Sequence, residues 1–137
     1  MPVLKADTLP VRSDQDVVMA RQAVRRMTKE LGFSLVDQTK MVTAASELAR
    51  NTLTHGRGGD MHYEFLQDGE RQGLRLSFVD EGPGIPNVTL ALTDGWTTGN
   101  GLGMGLSGSR RLVNEFQIET QPGHGTRVTI TRWRAGS

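Results

Sequence analysis

Residues 80–85 read DEGPGI, and they follow, after one residue, a segment at 74–78 in which large apolar side chains alternate with polar ones. Such alternation predicts a β-strand with one buried face. An aspartate at the end of a buried strand can accept a hydrogen bond from an exocyclic amine such as that of adenine, and the glycines after it let the backbone lie against a flat ring. Gly-Pro-Gly is also ordinary turn sequence, so this stretch alone leaves a plain turn open.

Two helices are predicted before this strand. Ser13 and Ser34 are each followed three residues later by aspartate, a spacing typical of helix N-caps. Apolar residues then recur at helical spacing, so we expect a first helix that stops at Gly32 and a second that runs to about Thr54.

The remaining elements complete an α+β order. Besides the strand at 74–78, we expect a short edge strand at 9–12, a hairpin partner at 61–65, a helix at 106–116 and final strands at 116–120 and 127–133. Helices and strands come in blocks, and hairpins join the strands. This order predicts one domain over residues 1–137, with helices on one face of a mostly antiparallel sheet.

A glycine-rich segment, GNGLGMGL at residues 99–106, precedes the third predicted helix. Free backbone N–H groups at a helix start bind phosphate well, and Thr97 and Thr98 could add hydroxyl donors. Residues 103–108 also match the dinucleotide-binding pattern G-x-G-x-x-G, but that pattern needs a hydrophobic strand before it, and residues 94–100 do not form one. We therefore reject a dehydrogenase-type site, and the chain has no Walker A sequence.

Glu47 and Asn51 lie four residues apart in the second predicted helix and share one of its faces. Such a pair alone is usually solvated surface. Followed by the strand with DEGPGI and by the glycine-rich segment, however, it resembles the GHKL (Bergerat) nucleotide-binding fold. The motifs are Glu47-Leu48-Ala49-Arg50-Asn51, Asp80-Glu81-Gly82-Pro83-Gly84-Ile85, Gly101-Leu102-Gly103-Met104-Gly105-Leu106 and, more weakly, Gly125-Thr126.

The resemblance covers about residues 9–133 and implies a two-layer α/β sandwich that binds ATP and Mg²⁺. It implies that Glu47 orients and deprotonates the attacking hydroxyl, that Asn51 ligates Mg²⁺, and that Asp80 binds the adenine amine with help from Thr126. The other residues that it implies for nucleotide binding are Gly82, Gly84, Ile85, Thr97, Thr98, Gly101, Leu102, Gly103, Met104, Gly105 and Leu106.

Residues 31–33, 43–51 and 94–98 carry a closer likeness to the anti-sigma-factor and stressosome switch serine/threonine kinases. This likeness implies a STAS-domain protein as substrate and a PP2C-type phosphatase as the partner that the released kinase activates. An anti-sigma factor that sequesters a sigma factor in an ATP-dependent way shares every site residue and stays open as an alternative. The catalytic half of a histidine kinase is disfavoured, because the phosphoacceptor and dimerisation helices are missing and the lid is short. The oligomeric state stays open.

The composition narrows the other classes of function. The formal net charge is +1, which argues against a nucleic-acid-binding surface. The chain has no cysteine, which excludes disulfides and thiolate catalysis. No apolar run approaches the roughly 20 residues of a membrane span, and the first residues lack a signal pattern. We therefore expect a cytoplasmic protein that binds neither nucleic acid nor membrane.

Overall fold

The computed structural model describes residues 3–84, 102–121 and 123–134, and of residues 102–105 it describes only the backbone. These residues form five strands and three helices. In chain order they are β1 (Val3–Val11), α1 (Asp14–Glu30), α2 (Leu35–Thr54), β2 (Gly59–Asp68), β3 (Arg71–Asp80), α3 (Leu102–Arg111), β4 (Glu115–Thr120) and β5 (Thr126–Trp133).

The strands form one sheet in the order β1-β2-β3-β5-β4, and every neighbouring pair is antiparallel. Leu76 and Phe78 of β3 are buried with apolar residues of all three helices. On the opposite face, Arg75 and Ser77 line a polar groove with Thr129 of β5. The helices therefore cover one face of the sheet, and the predicted α+β class is confirmed.

The first two helices begin where the sequence predicts. The Asp16 N–H donates to Ser13 Oγ and the Asp37 N–H donates to Ser34 Oγ, both at 3.1 Å. These side chains satisfy backbone donors that have no partner within the helix. Gly32 follows α1 with a φ of +80°, a left-handed conformation that favours glycine.

The bounds of two predicted elements differ most from those observed. The edge strand was predicted at residues 9–12, but β1 spans Val3–Val11 because it pairs with β2 along almost its whole length. The third helix was predicted at 106–116, but α3 spans Leu102–Arg111. It ends earlier because Asn114 already belongs to the sheet: its N–H donates to the Thr131 carbonyl, and its side chain accepts from the Trp133 N–H.

Arg132 joins the helices to the sheet at one end of the molecule. Its guanidinium donates to Asp37 Oδ1 at 2.5 Å and to the Leu112 carbonyl at 2.8 Å. The Arg132 and Asp37 side chains are only 13% and 9% exposed. Because Asp37 lies in the first turn of α2 and Leu112 directly follows α3, the start of α2 and the end of α3 meet at this arginine.

The connections then fix the opposite ends of both helices. The chain turns between α3 and β4 within three residues, so α3 and β4 run in opposite directions along the sheet. β4 ends where Thr120 faces Thr126, and Thr126 also faces Asp80. The C-terminal end of α2 and the N-terminal end of α3 therefore both lie at the end of the sheet that holds Asp80.

The buried ion pair gives a prediction about stability. Asp37→Ala leaves the Arg132 guanidinium buried without its carboxylate, so we expect the free energy of unfolding to fall by about 3–5 kcal/mol. Asp68→Ala is the control, since its pair with Arg71 is about half exposed and its loss costs about 1 kcal/mol or less. Urea unfolding of the two variants measures the difference; equal losses would contradict a structural role for the buried pair.

The same pair predicts the response to acid. The hydrogen bond from Arg132 holds the pKa of Asp37 below its ordinary value, although burial opposes this effect. The pair therefore stabilises the fold above the ordinary pKa of an aspartate, and this contribution is lost as the pH falls through the lowered pKa. As the pH falls below about 4, the ordinary pKa of an aspartate, the free energy of unfolding should fall more steeply in the wild type than in Asp37→Asn. Parallel slopes in urea unfolding at several pH values would count against this coupling.

Candidate nucleotide-binding site

Four elements that carry the sequence motifs meet at one end of the sheet. β3 ends there at Asp80 and β5 begins opposite it at Thr126. α2 ends there, and the turn after it brings Gly56 against Asp80. α3 begins there with the glycine-rich residues 102–105. Residues that are far apart in the sequence are thus brought together at one end of the sheet.

Asp80 lies at the centre of this end. Its side chain is on the same face of β3 as that of Phe78, so it points toward the helices. Its Oδ1 accepts from the Gly82 N–H at 2.9 Å. Burial raises the pKa of Asp80, and the nearby backbone N–H groups of Gly82 and Thr126 act in the opposite direction. The carboxylate is therefore half-buried and held in place by the Gly82 N–H.

Three glycines leave room around Asp80. A Cβ on Gly56 would lie 2.3 Å from Asp80 Cγ, and one on Gly82 would lie 2.8 Å from Gly56 Cα. A Cβ on Gly125, which has a φ of +89°, would lie 2.1 Å from the Asp80 carbonyl oxygen. No side chain fits at these positions without displacing Asp80 or its neighbours.

Gly56 was not among the predicted site residues. The sequence indicated only that a glycine after α2 would end the helix, and it did not show which residue the turn would contact. The one local signal for Gly56 in the sequence is its position five residues after Asn51. In the structure, the Asn51 carbonyl accepts from the N–H of both His55 and Gly56.

Gly84, a predicted site residue, has a structural constraint of its own. Its φ is +79°, and a Cβ there would lie 2.5 Å from the Gln121 carbonyl oxygen. Nearby, the Gly123 N–H donates to the Pro83 carbonyl at 2.7 Å. The segment after β3 is therefore packed against the turn between β4 and β5.

Glu47 and Asn51 lie in the C-terminal half of α2 and share a face. Glu47 is exposed, and none of the described residues pairs with its carboxylate. Asn51 is partly buried, and its Nδ2 atom is buried without a hydrogen-bond partner among the described residues. Arg50, between them in sequence, points elsewhere and pairs with Asp14 at 2.6 Å. This face therefore presents an exposed carboxylate and an amide that is not fully satisfied.

The other predicted residues are only partly covered. Thr126 lies opposite Asp80 on the neighbouring strand, with its Oγ1 at 3.0 Å from Thr120 Oγ1. Leu106 is buried in the core, so its side chain anchors α3. Four residues predicted to bind the nucleotide, Leu102, Gly103, Met104 and Gly105, form the first turn of α3. Ile85, Thr97, Thr98 and Gly101 lie outside the described residues.

Comparison with known sequences identifies the class of protein. The family described as "Histidine kinase-, DNA gyrase B-, and HSP90-like ATPase" matches residues 36–135. The serine/threonine-protein kinase RsbT of Bacillus subtilis (strain 168) is 41% identical over 123 residues, which covers 90% of this chain and 92% of the relative. An anti-sigma F factor of Clostridium beijerinckii is 25% identical and covers 89% of each chain.

Solved structures support the fold alone. The RsbU and RsbW domains of Rv1364c from Mycobacterium tuberculosis align with a TM-score of 0.63 and 24% identity, covering 98% of this chain and 33% of that longer one. A chain of the SiaB-SiaC complex from Pseudomonas aeruginosa aligns with a TM-score of 0.55 and 12% identity, covering 96% of this chain and 90% of that one.

The chain therefore belongs to the family of histidine kinase-, DNA gyrase B- and HSP90-like ATPases, the GHKL class that the motifs resemble. Within it, the chain is an ATP-using protein serine/threonine kinase, and its relatives support a role in stress signalling. In the part of the chain that the structure describes, no helix is long and apolar enough to span a membrane.

The close contact between Gly56 and Asp80 gives a prediction about binding. In Gly56→Ala the added methyl group must displace the Asp80 carboxylate, so we expect ATP to bind at least tenfold more weakly, about 1.4 kcal/mol. Gly108→Ala is the matched control, because a Cβ there meets no atom of the described residues within 4 Å outside its own helix. Calorimetric titration with ATP measures both, and thermal unfolding checks that both variants are folded. Unchanged affinity in Gly56→Ala would show that Asp80 does not need this space.

Proposed function

We propose that the chain transfers the γ-phosphoryl group of ATP to a serine or threonine hydroxyl of a STAS-domain protein, of the stressosome scaffold or anti-anti-sigma type. The observation that carries this proposal is the exposed carboxylate of Glu47. It shares a face of α2 with Asn51, at the end of the molecule where Asp80 is fixed. A carboxylate that is accessible and has no ion partner among the described residues is suited to accept a proton from an incoming hydroxyl.

Glu47 is assigned as the general base. It orients the acceptor hydroxyl and takes its proton while the hydroxyl oxygen attacks the γ-phosphorus and ADP leaves in line. In this chemistry most of the catalysis comes from positioning and charge stabilisation, so the base needs to be well placed rather than strongly basic.

Asn51 is assigned to Mg²⁺. The Nδ2 atom of its amide is buried without a hydrogen-bond partner among the described residues, and the oxygen and nitrogen of an asparagine amide can be interchanged by a flip. The residue therefore fits a cation that accepts one protein oxygen and completes its shell with waters and phosphate oxygens. When bound, Mg²⁺ neutralises charge on the phosphates.

Asp80 is assigned to the adenine amine, with Thr126 beside it. Its carboxylate already accepts a backbone hydrogen bond from Gly82 and retains lone pairs for a further donor. Gly82, Gly84 and Ile85 are assigned to the base. The glycine-rich start of α3, with Gly101, Thr97 and Thr98 before it, is assigned to the phosphates, because backbone N–H groups at a helix N-terminus attract anions.

After phosphorylating its substrate, the kinase is proposed to bind and activate a PP2C-type phosphatase in the cytoplasm. The 41% identity to RsbT supports the kinase function. A second candidate is an anti-sigma factor that sequesters a sigma factor in an ATP-dependent way. The relatives named anti-sigma F factor, 25–27% identical over 86–89% of this chain, favour it as the alternative.

The test of the proposal is phosphotransfer from [γ-³²P]ATP, with Mg²⁺, to STAS-domain proteins of the same genome. We expect label on a serine or threonine of one substrate. Glu47→Gln should reduce the rate at least a hundredfold, because a base contributes about 10²–10⁴, while ATP affinity stays within about twofold since the side chain keeps its size. Glu30→Gln, at the exposed end of α1, is the matched control and should be fully active.

Asp80→Asn separates binding from chemistry. Its amide keeps the shape but loses the charge and one acceptor, so it should raise the dissociation constant of ATP. Full phosphotransfer by Glu47→Gln would overturn the assignment of the base. Labelling of no STAS-domain protein despite ATP binding, with a sigma factor co-purifying, would favour the sequestering function instead.

A further inference from the structure

α2 carries an exposed stripe that leads to Glu47. The helix packs against both α1 and α3 and over β3, so one of its faces points away from the rest of the molecule. Val36, Lys40, Thr43 and Glu47 follow one another at helical spacing and share that face. All four are exposed among the described residues. The stripe therefore runs from the first turn of α2 to the carboxylate that is assigned as the general base.

The start of the stripe is apolar. Leu35 and Val36 are 72% and 63% exposed, which is more than any other large apolar side chain in the part of the chain that the structure describes. Single exposed apolar side chains are normal on a protein surface, but an adjacent pair forms a small patch. Because α2 is held by the core along its other face, this patch is presented in a fixed position.

The apolar start is flanked by positive charge. Lys40 lies one turn after Val36 on α2. Arg25 lies on the face of α1 that adjoins α2, because it follows Asp14 by three helical turns and Asp14 contacts Arg50 of α2. Neither Lys40 nor Arg25 forms an ion pair among the described residues. The surface therefore complements an apolar patch that has acidic side chains beside it.

The length of the stripe fits a folded substrate. Val36 and Glu47 lie about 16 Å apart along the helix. A domain of 100 residues has a radius of gyration of about 13 Å. A folded protein whose acceptor hydroxyl meets Glu47 is therefore large enough to cover Leu35 and Val36 at the same time.

We propose that the STAS-domain substrate docks along this stripe, with an apolar patch of the substrate on Leu35 and Val36 and acidic side chains paired with Lys40 and Arg25. The inference rests on the proposed phosphotransfer function, since it describes how the same site selects its substrate. Selection is then made by the folded surface of the substrate, and the docked body holds the acceptor hydroxyl at Glu47.

Steady-state phosphotransfer to the STAS-domain protein that the kinase labels tests this docking. Val36→Glu sets an acid against an acidic surface, and an acid in the first turn of a helix stabilises that helix. Lys40→Gln removes one of the two cations. Each change should raise the KM for the STAS-domain protein about fivefold or more, while kcat and the dissociation constant of ATP stay within about twofold, because docking is lost equally from the ground state and the transition state.

Met19→Glu is the matched control for the change from an apolar residue to an acid. Met19 is 52% exposed and, five residues after Asp14, lies on nearly the opposite side of α1 from the groove with α2. This variant should keep the wild-type KM. Added salt should raise the KM of the wild type more than that of Lys40→Gln, because salt screens exposed charges.

Direct binding separates this inference from the proposed function. In the Glu47→Gln background, calorimetric titration with the STAS-domain protein, in the presence of ATP and Mg²⁺, measures docking without phosphotransfer. Adding Val36→Glu or Lys40→Gln to that background should weaken binding severalfold, whereas adding Met19→Glu should not. Circular dichroism checks that each variant is folded.

Three outcomes distinguish the two ideas. A wild-type KM in both Val36→Glu and Lys40→Gln, or a fall in kcat as large as the rise in KM, would overturn the docking surface and leave the phosphotransfer intact. Binding that depends on Val36 and Lys40 but leads to no labelling by the wild type would overturn the phosphotransfer and support the docking surface. The absence of both binding and label would overturn both.

Discussion

The close approach of Gly56 to Asp80 is the constraint on which the site depends. The turn after α2 can lie against the end of β3 only because neither Gly56 nor Gly82 has a side chain. This contact sets the distance between the helices and the sheet at the end where the nucleotide motifs meet. Asn51, one turn before the end of α2, is therefore placed relative to Asp80 by the backbone rather than by a flexible side chain.

The opposite end of the molecule is held by a different kind of interaction. There Arg132, near the end of β5, bridges the first turn of α2 and the residue that follows α3. Backbone contact at one end and a buried ion pair at the other thus define the positions of α2 and α3 along their length. The core between them is apolar, with Leu48 and Leu106 buried over β3 and β5.

Much of this architecture could be predicted, because the relevant signals are local. Ser13 and Ser34 mark the helix starts through side chains that cap the next turn, and alternation marks β2 and β3. The order of the motifs along the chain was sufficient to predict the fold.

The length of β1 was missed because its extended part carries no strong apolar alternation and is held by pairing with β2. The end of α3 was missed because Asn114 is recruited by β5, which comes later in the chain. Gly56 contacts Asp80, 24 positions later in the chain, and Asp37 pairs with Arg132, 95 positions later. No local sequence pattern encodes contacts between residues so far apart.

The way in which α3 is anchored has a consequence for local unfolding. Its first turn contains Gly103 and Gly105, and each glycine in a helix costs about 1 kcal/mol relative to alanine. Its last turn leads into Leu112, whose carbonyl accepts from Arg132, and Leu106 between the two ends is buried. The free energy needed to fray this helix is therefore lowest at its N-terminal end, where the nucleotide motifs meet, and rises toward its C-terminal end at Arg132. A helix built in this way can unwind its first turn and re-form it while the rest of the core stays packed.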